Sequence, residues 1–195
     1  MELTFGSILQ LARFTVQKPR EGARAVLSLN LPNDARWSLL LLVAIGAALL
    51  TSVSIALLPA EMREMLGGGT QSPLVSAGLQ SAALLLLVGV MTQVGRWRGG
   101  KGSFADALLL VGWLQFILLL VQALQLATQL VAPFISEIIG IAGIALFFWL
   151  LTNFVAELHG FRSLGKVFAG ILLTMFALSF VLALFLMPLM AAQGV

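Results

Sequence analysis

Five long apolar runs leave this chain few folds to adopt. They are residues 37–58, 74–94, 104–131, 134–156 and 164–189. About 20 apolar residues in a helix cross a hydrocarbon core roughly 30 Å thick. No water reaches the backbone there, so each run must satisfy its own N–H and C=O groups as a helix. The runs are separated by Pro59 with Gly67, Gly68 and Gly69, by Gly99 and Gly100, by Pro133, and by Gly160 with Gly165. The expected fold is all-α: a polytopic membrane protein with five transmembrane helices in residues 37–195, preceded by an amphipathic cytoplasmic segment, residues 1–36. Only 10% of the 195 residues are charged, against about 25% in an ordinary soluble domain. That leaves no room for a second, soluble domain. The third run is long enough to tilt or to project from the bilayer.

Lysine and arginine set the orientation, because they collect on the cytoplasmic side. Residues 1–36 hold Arg13, Lys18, Arg20, Arg24 and Arg36. The loop between the second and third runs holds Arg96, Arg98 and Lys101, and that between the fourth and fifth holds Arg162 and Lys166. Two spans separate each of these segments from the next, so all three share one side, with ten of the eleven basic residues. Arg63 alone falls opposite, between Glu61 and Glu64. The N-terminus is therefore expected in the cytoplasm and the C-terminus outside. With a net charge of +3 and basic residues that flank spans, the expected partner is anionic membrane lipid, and nucleic acid is not expected. Glu2 and the lack of a basic stretch before the first apolar residues argue against a cleaved signal peptide.

The N-terminal segment reads as two short helices. Phe5, Ile8, Leu9, Ala12 and Val16 share one face of the first, with Ser7, Gln10, Arg13 and Gln17 on another. Pro19 suits the first turn of the second helix, which Pro32 is expected to end. Such a pair either lies on the lipid surface or packs under the bundle as a plinth, and the two uses are compatible.

Gly95-x-x-x-x-Gly100-Lys101 resembles a phosphate-binding loop. That loop needs Ser or Thr next, to hold magnesium. Here Gly102 stands in that place, and a membrane span precedes the motif instead of a buried strand. The glycines are expected to form a tight basic turn, with Arg96, Trp97 and Arg98 at the lipid headgroups. Cysteine is absent and histidine occurs once, which excludes disulfides and a multi-histidine metal site. No cofactor is expected.

Three stretches resemble the YIP family of Ypt/Rab-interacting membrane proteins, in its short bacterial form. They are "KPREGARAVL" (18–27), "GGKGSFADALLLVGW" (99–113) and "VAELHGFRSLGKVFAGILL" (155–173). The resemblance implies a five-helix bundle with a cytoplasmic N-terminus, placed in a bacterial inner membrane. Eukaryotic relatives serve Golgi and vesicle traffic and bind small GTPases through a longer cytoplasmic arm. Here "LPNDARWSLL" precedes the first span and tyrosine is absent, so the resemblance implies a fold rather than a GTPase partner.

Ionisable residues within a membrane are the first places to look for function. Asp106, Glu137 and Glu157 all lie near span ends. Ser103-Phe-Ala-Asp106 has the outline of a capping box, where Asp106 also favours the positive helix end. Asn153 lies one turn before Glu157. With His159, they form a candidate cytoplasmic polar site together with Arg96, Arg98 and Lys101. Such a site suits a lipid phosphate or an acidic protein partner; the favoured reading is a salt-bridged cap that fixes helix ends. Gln115, Gln122 and Gln129 recur at sevens, with Gln125 beside them. The stripe therefore faces protein or water, either lining a polar cavity or gluing helices together. Thr152, Asn153 and Gln93 are placed to meet it. No nucleophile–histidine–acid set is present, so an enzyme is not expected. The favoured function is a non-enzymatic, YIP-like protein that organises membrane or recruits partners at the cytoplasmic face. The alternative is a small transporter or channel, or a lipid-handling protein, that uses the glutamine-lined interior.

A topology reporter fused after Val195 should be active only outside the cytoplasm. Cytoplasmic activity of that fusion would overturn the span count.

Overall fold

Residue types at the boundaries set where each apolar run becomes a helix. The computed structural model describes residues 4–65 and 72–192, and among these it has eight helices and no strand. α1 (Phe5–Gln17) and α2 (Pro19–Ser28) form an N-terminal pair. α3 (Asn33–Ala56), α5 (Pro73–Trp97), α6 (Phe104–Val131), α7 (Pro133–His159) and α8 (Leu164–Ala192) are the long helices, and α4 (Ala60–Met65) is a short one after α3. Each of the five long helices is long and apolar enough to cross a membrane. Ser72 and Ser103 cap α5 and α6, their hydroxyls accepting from the N–H of Val75 at 3.2 Å and of Asp106 at 3.1 Å. Such a cap stabilises by about 1 kcal/mol. Pro19, Pro73 and Pro133 sit in first turns, where the missing N–H has no partner to lose.

Several boundaries differ from the sequence reading. α3 starts at Asn33 rather than Trp37, because Pro32 is its extended N-cap and not the end of α2. α2 stops at Ser28, and Asn30 turns the chain at φ 45, a region asparagine enters more easily than most residues. α7 runs past Ala156 to His159, where Gly160 at φ 73 stops it. α4 was not expected; its residues, Glu61 and Arg63 among them, are exposed. Gly67, Gly68 and Gly69 lie outside the described residues.

α6 is the axis of the bundle. It packs on α3, α5, α7 and α2, and half of its apolar window is buried against 6% for α8. Residues 107–114 are buried without a gap, so this part of α6 is enclosed on every side, as an all-apolar helix requires. The enclosure is confined to its first half; Leu124 and Leu130 are exposed. The well-packed end is the one where α3, α6 and α8 begin and α5 and α7 finish. It carries most of the basic residues and is called the basic end below. Leu42, Leu79, Leu173 and Phe176 are exposed, as lipid-facing side chains must be in a membrane protein.

The N-terminal pair closes the basic end. Ala12 and Thr15 of α1 and Pro19, Gly22, Ala23 and Val26 of α2 are buried. α2 packs on α6 and α7. Thr15 accepts from Trp113 Nε1 of α6 at 3.2 Å and donates to Leu11 O at 2.7 Å. The apolar stripe of α1 is therefore divided. Ala12 faces protein, Ile8 and Val16 are half-buried, and Phe5 and Leu9 are exposed. The buried Thr15, seven residues after Ile8, lies at the edge of the stripe named from the sequence, which omitted it as a polar residue. Arg36 ties α3 to α6, donating through Nη1 to Asp106 Oδ1 at 2.8 Å and through Nε to Leu31 O at 2.8 Å. The Ser103 hydroxyl donates to Asp106 Oδ2 at 2.6 Å, so Asp106 serves both the helix cap and the ion pair.

Candidate functional site

A polar layer forms where α5 and α7 end. Both helices stop in the same way, with a left-handed glycine. At α5, Gly99 (φ 86) donates to Arg96 O at 2.9 Å and Gly100 donates to Gly95 O at 2.9 Å. At α7, Gly160 donates to Glu157 O at 3.3 Å and Phe161 to Ala156 O at 2.8 Å. This is the double closure of a Schellman motif, and glycine enters it without the Cβ penalty.

His159 lies between the two closures and is 5% exposed. Its Nδ1 accepts from the Gly102 N–H at 3.2 Å, and its Nε2 is 3.0 Å from the Met91 carbonyl. An acceptor at Nδ1 and a carbonyl at Nε2 assign the neutral Nε2–H tautomer. Phe161 stacks on the ring with centroids 5.5 Å apart. Glycines wall the rest. A Cβ on Gly95 or Gly100 would fall on imidazole atoms, and one on Gly102 would come within 2.6 Å of Leu158 and 2.7 Å of the ring. The glycines of the phosphate-loop-like motif thus surround an imidazole. The N–H groups of Gly99, Gly100 and Gly102 are all engaged, which leaves none of the three for a phosphate.

Glu157 faces another way. Arg20 Nε donates to its Oε2 at 3.0 Å, and Arg24 Nε donates to its Oε1. Arg20 also donates to Phe161 O at 3.3 Å. One carboxylate therefore holds two arginines of α2 against the end of α7. Hydrogen bonding to Glu157, then its charge, raises the Arg24 pKa above the ordinary value, so Arg24 stays charged.

The structure divides the set that the sequence combined. Residues two apart on a helix point about 200° apart, so Glu157 meets α2 while His159 meets α5 and the loop before α6. Asn153 is 3% exposed and donates to Trp149 O at 2.8 Å within its own helix. Arg96, Arg98 and Lys101 are exposed and have no carboxylate partner among the described residues. They do not pair with Glu157, because Arg20 and Arg24 occupy it. Glu137 is exposed at the opposite end.

The glutamines also separate. Gln122 Nε2 donates to Thr51 Oγ1 at 2.9 Å and Ala47 O at 3.4 Å, and Gln129 Oε1 accepts from Ser54 Oγ at 2.9 Å. Both bond α3. Gln125 lies over Gly140 of α7, where a Cβ would be 2.8 Å from its Nε2, and its backbone carbonyl accepts from Ser136 Oγ at 3.1 Å. Gln115 is half-buried and makes no side-chain hydrogen bond among the described residues. Thr152 and Asn153 do not bond the stripe: the Thr152 hydroxyl is buried without a partner among the described residues, and Gln93 is exposed. Gln122 and Gln129 each link α6 to α3. The residues missed by sequence reasoning are Arg20, Arg24 and Met91. Met91 offers only its backbone and left no signal. The glycine spacing at 95, 100 and 102 was a signal of close approach, but it did not say to what.

A family model described as Yip1 domain matches residues 14–186. The match begins near the end of α1 and ends within α8, so it takes in α2, the glycine turn and Glu157 with His159. No curated protein and no solved structure matches the chain.

His159→Ala removes the acceptor of a buried N–H, a loss of about 1–3 kcal/mol before any cavity is counted. Gln122→Leu or Gln129→Leu removes an interhelical bond worth roughly 0.6 kcal/mol. Thermal unfolding in detergent should therefore drop clearly for the first and little for the others. Equal drops would mean that the ring does not lock the helix ends.

Proposed function

Because the chain belongs to the Yip1-domain family, we propose that it is a non-enzymatic platform of a bacterial inner membrane that recruits a protein partner at the cytoplasmic face. It is an integral membrane protein, anchored by five helices. In this reading the N-terminus and the basic end are cytoplasmic and the C-terminus is outside, as the ten-to-one distribution of basic residues favours. The observation that carries the proposal is the ionic clamp of Arg20 and Arg24 on Glu157. With the Trp113–Thr15 bond, it holds α1 and α2 in one pose on the bundle. A tethered arm would lose ordering entropy on binding; a docked pair presents its outer face already ordered. That face carries exposed Gln10, Arg13, Gln17 and Lys18, a mixed polar and basic surface suited to an acidic protein.

The non-enzymatic reading rests on the state of the best catalytic candidate. Both nitrogens of His159 are occupied by backbone groups, so neither is open to a substrate. The transporter alternative is less favoured, since Gln122 and Gln129 are bonded to α3.

A photo-crosslinking residue at Gln10 or Gln17 should give a discrete protein adduct in living cells. Arg20→Gln with Arg24→Gln should weaken that adduct without removing the protein from the membrane. Adducts to lipid alone at both positions would contradict recruitment. Solute flux in reconstituted vesicles, lost on Gln122→Leu, would favour the transporter instead.

A further inference from the structure

α8 packs chiefly on α7 and leaves a groove between itself and α5, floored by α7. The groove has a volume of about 540 Å³, within the roughly 300–1,000 Å³ of small-ligand sites. Its walls are apolar, with Leu87 on α5, Leu151 on α7 and Ile171 on α8. The one hydroxyl deep within it, Thr174, donates to Gly170 O of its own helix at 2.7 Å. Nothing polar in the interior asks for a partner, so the interior suits hydrocarbon rather than a hydrated solute.

The mouth has the opposite character. Arg98, Arg162 and Lys166 line it at the basic end. All three are exposed, and none pairs with a carboxylate among the described residues. Lining residues extend along α8 from Lys166 to Leu178, about 18 Å at 1.5 Å per residue. Half of a hydrocarbon core of roughly 30 Å is close to that length. A cationic mouth on an apolar groove one leaflet deep is complementary to an amphiphile with a single anionic head. We propose that this groove binds an anionic phospholipid, with one acyl chain between α5 and α8 and its phosphate at Arg98, Arg162 and Lys166. The site lies away from α1 and α2 and does not rest on the partner-recruiting role.

The groove touches the histidine layer, because Met91, Gly95 and Phe161 line it as well as surround His159. A lipid seated there would rest against the locked ends of α5 and α7. Gly170 also lines the groove, and a Cβ there meets nothing within 4 Å. A large side chain at that position can therefore plug the groove without first displacing protein.

Native mass spectrometry of the delipidated full chain in neutral detergent tests this, with phosphatidylglycerol and phosphatidylcholine as probes. Phosphatidylglycerol should bind at least ~10-fold more tightly, the scale set by a few basic residues at an anionic head. Arg98→Gln with Arg162→Gln and Lys166→Gln should remove that preference. Arg13→Gln with Arg96→Gln and Lys101→Gln removes the same charge elsewhere and should leave it within ~2-fold. Gly170→Trp, or the smaller plug Gly170→Leu, should lower binding of both lipids while the mouth stays intact. Thermal unfolding of each variant identifies any that fails to fold, and the exposed triple variants do not depend on the plug. Equal losses in the two triple variants would reduce the effect to general surface charge and overturn the proposal. So would unchanged binding in both folded plugs, displacement of the lipid by millimolar inorganic phosphate, or a dimer that the plugs abolish, which would mean that a second copy fills the groove.

Discussion

The imidazole of His159 is the point on which the basic end depends. It joins three separate pieces of chain: the end of α7 that carries it, the Met91 carbonyl of α5, and the Gly102 N–H just before α6. Helix ends leave carbonyls and N–H groups without partners, and near an apolar bundle water is a poor remedy. Here the two Schellman closures satisfy carbonyls at the ends of α5 and α7, and the ring adds a bond from the Gly102 N–H and one to the Met91 carbonyl inside α5. The cost falls on sequence choice. Gly95, Gly100 and Gly102 must lack side chains for the ring to fit. A motif that looks like a nucleotide loop is therefore accounted for by packing alone.

Other contacts at the basic end extend this junction. Glu157 sits two residues before the ring and fixes α2 through Arg20 and Arg24. Asp106 sits four residues after Gly102 and fixes α3 through Arg36. Trp113 reaches the buried hydroxyl of Thr15. These polar links are specific in direction, whereas apolar packing between helices in lipid has little driving force of its own. At the basic end they gather around residues 107–114 of α6, the part that is fully enclosed. The residues that make these links all lie within 14–186, the stretch that the Yip1-domain model matches.

Much of the fold was legible because a bilayer permits so little. Five apolar runs had to be five helices, and Ser103 with Asp106 announced the start of α6. Pro32 was misread, since proline both follows a helix and precedes one, and only Asn30 at φ 45 shows which. The candidate site was legible in its parts and not in its grouping. Glu157 and His159 are near in sequence but point apart, a consequence of 3.6 residues per turn that spacing alone already implied. The glutamine period placed Gln122 and Gln129 on one face, and both do bond α3. Gln125 is turned toward α7, and the Gln115 side chain makes no hydrogen bond among the described residues. Tertiary partners that offer only backbone, such as Met91 and Gly102, leave no trace in a side-chain pattern. The pairing of Arg20 and Arg24 with a carboxylate more than 130 residues away was likewise beyond local spacing.

The chain has one histidine, so its ring nitrogens give an unambiguous signal. Nitrogen-15 magnetic resonance of histidine-labelled protein in a bilayer at neutral pH reads the tautomer directly. A locked ring has Nε2 protonated and Nδ1 bare, with a hydrogen-bond coupling from Nδ1 to the Gly102 amide. An Nδ1–H tautomer, or the averaged spectrum of a ring exchanging freely with water, would contradict the junction.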